Sequence, residues 1–78
     1  MTDCIIAMRS QTYAAKGKRV LGKAGIRAVI VSIDPSLTKN GCAYGLRISG
    51  ESCPAAADIL GDHHILHGDI IGKGGYYL

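Results

Sequence analysis

The sequence predicts an α+β fold of the ferredoxin-like type, a βαββαβ two-layer sandwich in which two helices cover one face of an antiparallel sheet. Three observations carry that expectation. Four short runs rich in Ile and Val alternate with two segments of helical periodicity in that order. A chain of 78 residues is about half of a typical domain, so residues 1–78 are expected to form a single domain burying only ~60% of the unfolded chain's surface. Finally, 47% hydrophobic and 19% charged residues exclude intrinsic disorder and a polyelectrolyte tail. With no Trp or Phe and four Tyr, the core must be built from Ile, Leu, Val and Ala.

The first strand is Cys4-Ile5-Ile6-Ala7-Met8, too short for a stable helix and rich enough in Ile for a buried strand. Ser10 is the natural N-cap of a helix over residues 11 to 24, in which Tyr13, Gly17, Val20, Leu21 and Ala24 share a face and Gly25 ends it. Ala28-Val29-Ile30-Val31-Ser32-Ile33 is the clearest strand, closed by Asp34-Pro35 because a residue before Pro avoids the α region. Residues 36 to 41 connect it to a third strand, Cys42 to Ile48, with Gly45 inside it as a bulge or close backbone approach. Ser52 is expected to cap a second helix with Pro54 in its first turn, Ala56, Ile59, Leu60 and His63 on one face, and an end between Gly61 and His64. Ile65-Leu66 and Ile70-Ile71 around Gly68 give the fourth strand. Residues 71–78 read as a flexible Gly-rich tail.

In this topology β1 and β2 run parallel with β3 antiparallel between them, so Cys42 is expected at the same end of the sheet as the start of the first helix. Cys53 lies at the other end of the third strand, about eleven residues and ~30 Å away. These two cysteines cannot pair within the chain.

Charge is uneven. Residues 1 to 50 hold eight bases and two acids, and residues 51 to 78 hold Lys73 against Glu51, Asp58, Asp62 and Asp69. Lys16, Arg19 and Lys23 form a basic stripe on the first helix, which reads first as a solvated face and second as a surface for an acidic partner or nucleic acid. No apolar run approaches the ~18 residues that span a bilayer, and no secretory leader pattern is present. Three cysteines without a CxxC pair give neither a disulfide framework nor a four-thiolate zinc site, so reduced thiols and a cytoplasmic location are expected.

Cys42 sits in Asn40-Gly41-Cys42-Ala43-Tyr44-Gly45 at a loop-to-strand junction. A reactive thiol needs access and neighbouring positive charge, which a helix N-terminus with Lys39 or Arg47 would supply. A small buried residue at a strand start is the alternative. Asp34-Pro35-Ser36-Leu37-Thr38 leading into Gly41-Cys42-Ala43-Tyr44-Gly45-Leu46, after a helix ending Lys23-Ala24-Gly25-Ile26, resembles the small bacterial selenium/sulfur carrier-like family. The resemblance spans roughly residues 3 to 71, and Gly41-Cys42 corresponds to that family's Gly-Cys motif. It implies that Cys42 carries sulfur or selenium as a persulfide-type adduct between a donor and an acceptor protein. Gly41, Gly45 and Lys39 are then the supporting loop, with the glycines leaving room and backbone N–H groups for the adduct.

Cys53, followed by Pro54, is the second choice of thiol, since a helix N-terminus activates a thiol in any family. Another class of sulfur carriers caps a helix with Cys-Pro-x-Pro, but this chain lacks the second Pro and places the element after the wrong strand. Cys4 reads as core. His63, His64 and His67 with Asp62 and Asp69 are dense enough for a zinc site, yet they straddle a helix end, so surface histidines are expected and no metal. Ile70-Ile71-Gly72-Lys73-Gly74-Gly75 matches the GXXG loop pattern of a nucleic-acid-binding KH domain, without the helix that should follow. Neither a P-loop nor a dinucleotide fingerprint is present. The expected protein is a thiol relay rather than an enzyme, without a cofactor, membrane contact or nucleic-acid ligand, and with edge strands that suit a homodimer. The reading from another class is a non-catalytic module that binds a protein or nucleic acid through the basic face of the first helix.

Overall fold

Alternation fixes the sheet first. In β1 (Asp3–Met8), Cys4, Ile6 and Met8 are fully buried, the period-two pattern of a strand with one face in a core. The computed structural model describes residues 3–34, 36, 38, 42–72 and 75–77. After β1 come α1 (Gln11–Lys23), β2 (Val29–Ser32), β3 (Tyr44–Ser49), a 3₁₀ turn (Gly50–Ser52), α2 (Cys53–Asp62), β4 (His67–Gly72) and β5 (Gly75–Tyr77). The first six strands and helices follow the ferredoxin-like order.

The sheet order is β2-β3-β1-β4-β5. β3 pairs antiparallel with both β1 and β2, and β1 with β4, so β1 and β2 run parallel with β3 between them, as the topology requires. β5 pairs antiparallel with β4, where the sequence reading expects a flexible tail. The outer edge of β4 offers a ladder of backbone groups to any segment that pairs with it, and Gly72 faces Gly75 across the two strands.

Both helices lie on one face. A Cβ at Gly17 of α1 would stand 3.0 Å from Leu46 Cδ1, 3.2 Å from Leu60 Cδ2 and 3.4 Å from Met8 Cε. That glycine therefore lets α1 settle onto β1, β3 and α2 at once. Around it, Cys4, Ile6, Ala14, Leu21, Ile48, Ala56, Leu60 and Ile65 complete the core.

The helices are bounded by local signals. Ser10 Oγ accepts the backbone N–H of Tyr13 at 3.2 Å, and α1 ends with Gly25 at φ +84°, its N–H donating to Gly22 O while Ile26 N–H donates to Leu21 O. α2 ends in the same Schellman arrangement, with His64 N–H to Gly61 O and Ile65 N–H to Leu60 O. Here the left-handed position, φ 57°, is occupied by His64. Ile65 is thereby the buried seal of the helix end rather than the start of β4, which begins at His67. Ser52 makes no side-chain cap bond, because the 3₁₀ turn runs directly into α2 and supplies backbone partners in its place.

Candidate functional site at Cys42

Cys42 precedes β3 by two residues instead of opening it. Ile33 N–H still donates to Ala43 O at 2.9 Å, so the β2–β3 ladder extends one step beyond the regular strands and Cys42 follows as its first free residue. The end of β1 pairs Met8 with Tyr44, and α1 starts three residues after Met8. The thiol and the start of α1 accordingly share one end of the sheet.

Three contacts define the place. The Cys42 backbone N–H donates to Thr38 Oγ1 at 2.7 Å, and both residues are buried, Cys42 with 5% of its surface exposed. Upstream, Asp34 Oδ1 accepts the Ser36 N–H at 3.0 Å, starting the connection with an Asx turn. That bond and the Ser36 hydroxyl hold the exposed Asp34 carboxyl below its usual range. The third contact comes from β4: a Cβ built on Gly68 would stand 3.3 Å from Cys42 Sγ and 3.6 Å from both Ala7 Cβ and Ala7 O. The thiol thus sits against the backbone of β4 beside Ala7.

Gly68 lies in a register break. Ile6 pairs with Ile70 and Met8 with His67, leaving Gly68 and Asp69 opposite the single residue Ala7, the count of a β-bulge. His67 Nδ1 lies 2.9 Å from Gly68 O, so the ring donates there in the Nδ1–H tautomer. Of the two alternatives expected for Gly45, a bulge or a close approach, the bulge is found on this other strand. Gly45 stays in register with Ala7 and Val31, and it is a close approach: a Cβ there would stand 2.6 Å from Ile5 Cγ2, 3.2 Å from Ile6 O and 3.6 Å from Ile33 Cγ2. Its missing side chain makes room for Ile5, and the contacts at Cys42 come from Gly68 instead.

The remaining site residues are distributed as follows. Gly41 and Lys39 lie outside the described residues. Arg47, offered as a cation beside Cys42, pairs across to Ile5 and points its Nε toward Asp3 Oδ2 at 3.9 Å, well along β3 from the thiol. Cys53, the second choice of thiol, is bonded to Cys4. The odd cysteine count conceals one pair and one free thiol, Cys42, which corrects the expectation of three reduced thiols. Register explains the pairing: Cys4 faces Ile48 near the end of β3, and the three-residue 3₁₀ turn reverses the chain so that Cys53, first in α2, lies above Cys4 with a Cα separation of 6.4 Å. Forty-nine residues separate the two in sequence, so spacing carried no signal for them.

His63 and His64 are exposed and His67 half-buried, and among the described residues no group of three or more His, Cys, Asp or Glu is placed to hold a metal ion. The GXXG pattern falls across the β4–β5 pair rather than between helices; Lys73 and Gly74 within it lie outside the described residues. Sequence reasoning missed Thr38, Ala7 and Gly68 as neighbours of Cys42. A glycine inside the fourth strand run was the one available signal, and the same rule was applied to Gly45.

Among the described residues no helix is long and apolar enough to cross a membrane. The family model described as Putative Se/S carrier protein-like matches residues 3–71, and no curated protein or solved structure matches the chain. The match covers nearly the whole chain, and the chain belongs to that family.

Proposed function

We propose that this member of the Se/S carrier-like family carries sulfur or selenium on Cys42 between a donor and an acceptor protein. The observation that supports the reading is the division of its cysteines: Cys4 and Cys53 are bonded to each other, and Cys42, in the Gly-Cys motif, is the free one. In the loading step the Cys42 thiolate attacks the outer sulfur of a donor persulfide. A new S–S bond forms at Cys42, the donor's S–S bond breaks, and the donor leaves as a thiolate, so the sulfane atom moves with no net oxidation of either protein. Attack by an acceptor nucleophile on that outer atom reverses the exchange and returns the Cys42 thiolate.

Burial of Cys42 serves a carrier, because a persulfide held away from solvent meets fewer stray thiols. It also means that the sulfur becomes accessible to a partner only when the surroundings of Cys42 open. The exposed Lys16, Arg19 and Lys23 share one side of α1, a helix without an acidic residue, and are a docking face for acidic donor and acceptor surfaces. The protein acts as a relay without a cofactor of its own, and the open edge of β2 leaves a homodimer available. Exposure of the native, unreduced protein to a persulfide donor, followed by peptide mass mapping, tests the reading. The Cys42 peptide is expected to gain one sulfur atom and Cys42→Ser to gain none; an unmodified Cys42 peptide would overturn it.

A further inference from the structure

The sheet face turned away from the helices is apolar. Cys4, Ile6, Ile30, Leu46 and Ile48 belong to the core under the helices, so the residues between them along each strand point the other way. Val29, Arg47, Ile5 and Ile71 form one row across four strands on that side, and Val31, Gly45 and Ala7 form the next. Gly45 leaves the middle of this face without a side chain, and Ile5 Cγ2 and Ile33 Cγ2 close over it, 2.6 Å and 3.6 Å from where its Cβ would stand. The result is a flat apolar surface in which Val29 keeps 41% of its area exposed and Ile5, Val31, Ile33 and Ile71 are half-buried. An antiparallel sheet with one wet face alternates apolar and polar residues, whereas strands apolar on both faces belong to sheets covered on both. Ile5-Ile6-Ala7-Met8 in β1 and Val29-Ile30-Val31 in β2 are of the second kind, yet both helices lie on one side.

We propose that this face binds a second copy of the chain, giving a homodimer of four layers, helices outside and two sheets packed face to face ~10 Å apart. Three features favour a second copy over another partner. The first is area. The two layers of the chain stack along its shortest axis, 19 Å, so the sheet face spans up to 31 × 28 Å, the scale of the ~800 Å² that each partner buries in a standard stable interface. The second is charge within the face. Arg47 Nε lies 3.9 Å from Asp3 Oδ2, and both side chains are half exposed, so each copy brings one guanidinium and one carboxylate to a two-fold contact that sets unlike charges together. The third is charge elsewhere. Lys16, Arg19 and Lys23 lie on the helix layer, and sheet-to-sheet packing keeps the two basic stripes on opposite outer sides, apart from each other and open. The contact uses the face and not the β2 edge, where the regular strand is four residues long. It does not rest on the carrier reading of Cys42.

The test is sedimentation equilibrium of the native wild type, Ile71→Lys and Arg47→Glu over a micromolar dilution series, with folding followed by circular dichroism. The wild type is expected to reach twice the 8.2 kDa chain mass at the top of the series. Ile71→Lys sets an ammonium group in the apolar contact, and Arg47→Glu leaves two acids on each copy where unlike charges met. Each folded variant is expected to associate at least ~tenfold more weakly than the wild type. Ile71 is three strands away from β2 and Arg47 lies on the strand inside it, so neither change touches a dimer made through the β2 edge. If Ile71→Lys does not fold, Arg47→Glu decides, because that side chain is already exposed. A wild type of single-chain mass throughout the series overturns the inference, as does a dimer that both folded variants leave at wild-type strength, which would mean pairing through the edge.

Discussion

At the start of β1, Cys4 is bonded to Cys53, tying the sheet to the first residue of α2; past the other end of the same strand, Cys42 is held by a single Thr38 hydroxyl and by van der Waals contact with β4. Both ends are buried, and both bring together segments far apart in sequence. They differ in how the contact is made. A covalent tie restricts the unfolded chain and leaves neither of its sulfurs as a nucleophilic thiol, whereas a hydrogen bond and packing against β4 position a sulfur that stays a thiol. On the carrier reading the molecule separates a stabilising use of cysteine from a chemical one, and each end is expected to tolerate change at the other.

Removing the tie has the largest expected effect. The Cys4→Ala/Cys53→Ala variant, or reduction of the wild type, should lose about 4 kcal/mol in the chain-entropy account of a loop closed across 49 residues, read by denaturant unfolding. The rate of Cys42 alkylation in the folded variant should stay at the wild-type value. A large change in that rate would mean that the two ends are coupled and the comparison is wrong.

At the thiol end, Thr38→Val leaves the buried Cys42 N–H without its hydroxyl acceptor, costing about 1–2 kcal/mol. The same change loosens the segment and should speed Cys42 alkylation. Thr38→Ser keeps the hydroxyl and should restore both quantities toward wild type. Loss of stability without faster alkylation would show that the bond supports the fold but does not guard the thiol.

The helix ends sharpen the same contrast. α1 closes with Gly25 in the left-handed region, at the tied end, while α2 closes with His64 there, at the Cys42 end. Replacing His64 with Gly should raise stability by about 0.5–1 kcal/mol by relieving a side chain from a conformation that disfavours it, measured by thermal unfolding. No gain would mean that the His64 ring has a compensating role.

Acidification has the smallest effect. Asp34 has a folded-state pKa below its ordinary 3.8, so the support its Asx turn gives the connection is present above pH 3.8 and is lost as pH falls through the lower folded value. The Ser36 amide signal in an NMR titration should report a midpoint below 3.8, and Asp34→Asn should abolish that transition. A midpoint at or above 3.8 would remove the Asx turn from the account.

What could be read in advance follows the range over which each feature is determined. Ser10 before an apolar stripe, Gly25 after it and Pro35 behind a β-branched run are local signals, and they placed α1 and β2 within a residue or two. The element order then determines the sheet and puts Cys42 at the same end of it as the start of α1. Pairing of Cys4 with Cys53 depends on the register of β1 against β3 and on the length of the turn into α2, which no local pattern encodes. The bulge at Gly68 is likewise a property of two strands read together. A glycine in a strand can mean a bulge or a close approach, and Gly68 and Gly45 realise one each, so the rule was sound and its assignment needed the partner strand. Cys42 is singled out by its motif, whereas Ala7 and Gly68 beside it come from other parts of the chain.

The claim that Cys42 is a carrier site, and not simply a buried thiol, is tested most directly by following sulfur through the protein. Native, unreduced protein loaded with radiolabelled sulfane sulfur from a persulfide donor is freed of donor and given an acceptor thiol. The account expects the label on the Cys42 peptide after loading, then on the acceptor, with Cys42 recovered unmodified and the Cys4–Cys53 bond intact. Label that remains on Cys42, or that enters only by opening the Cys4–Cys53 bond, would contradict it.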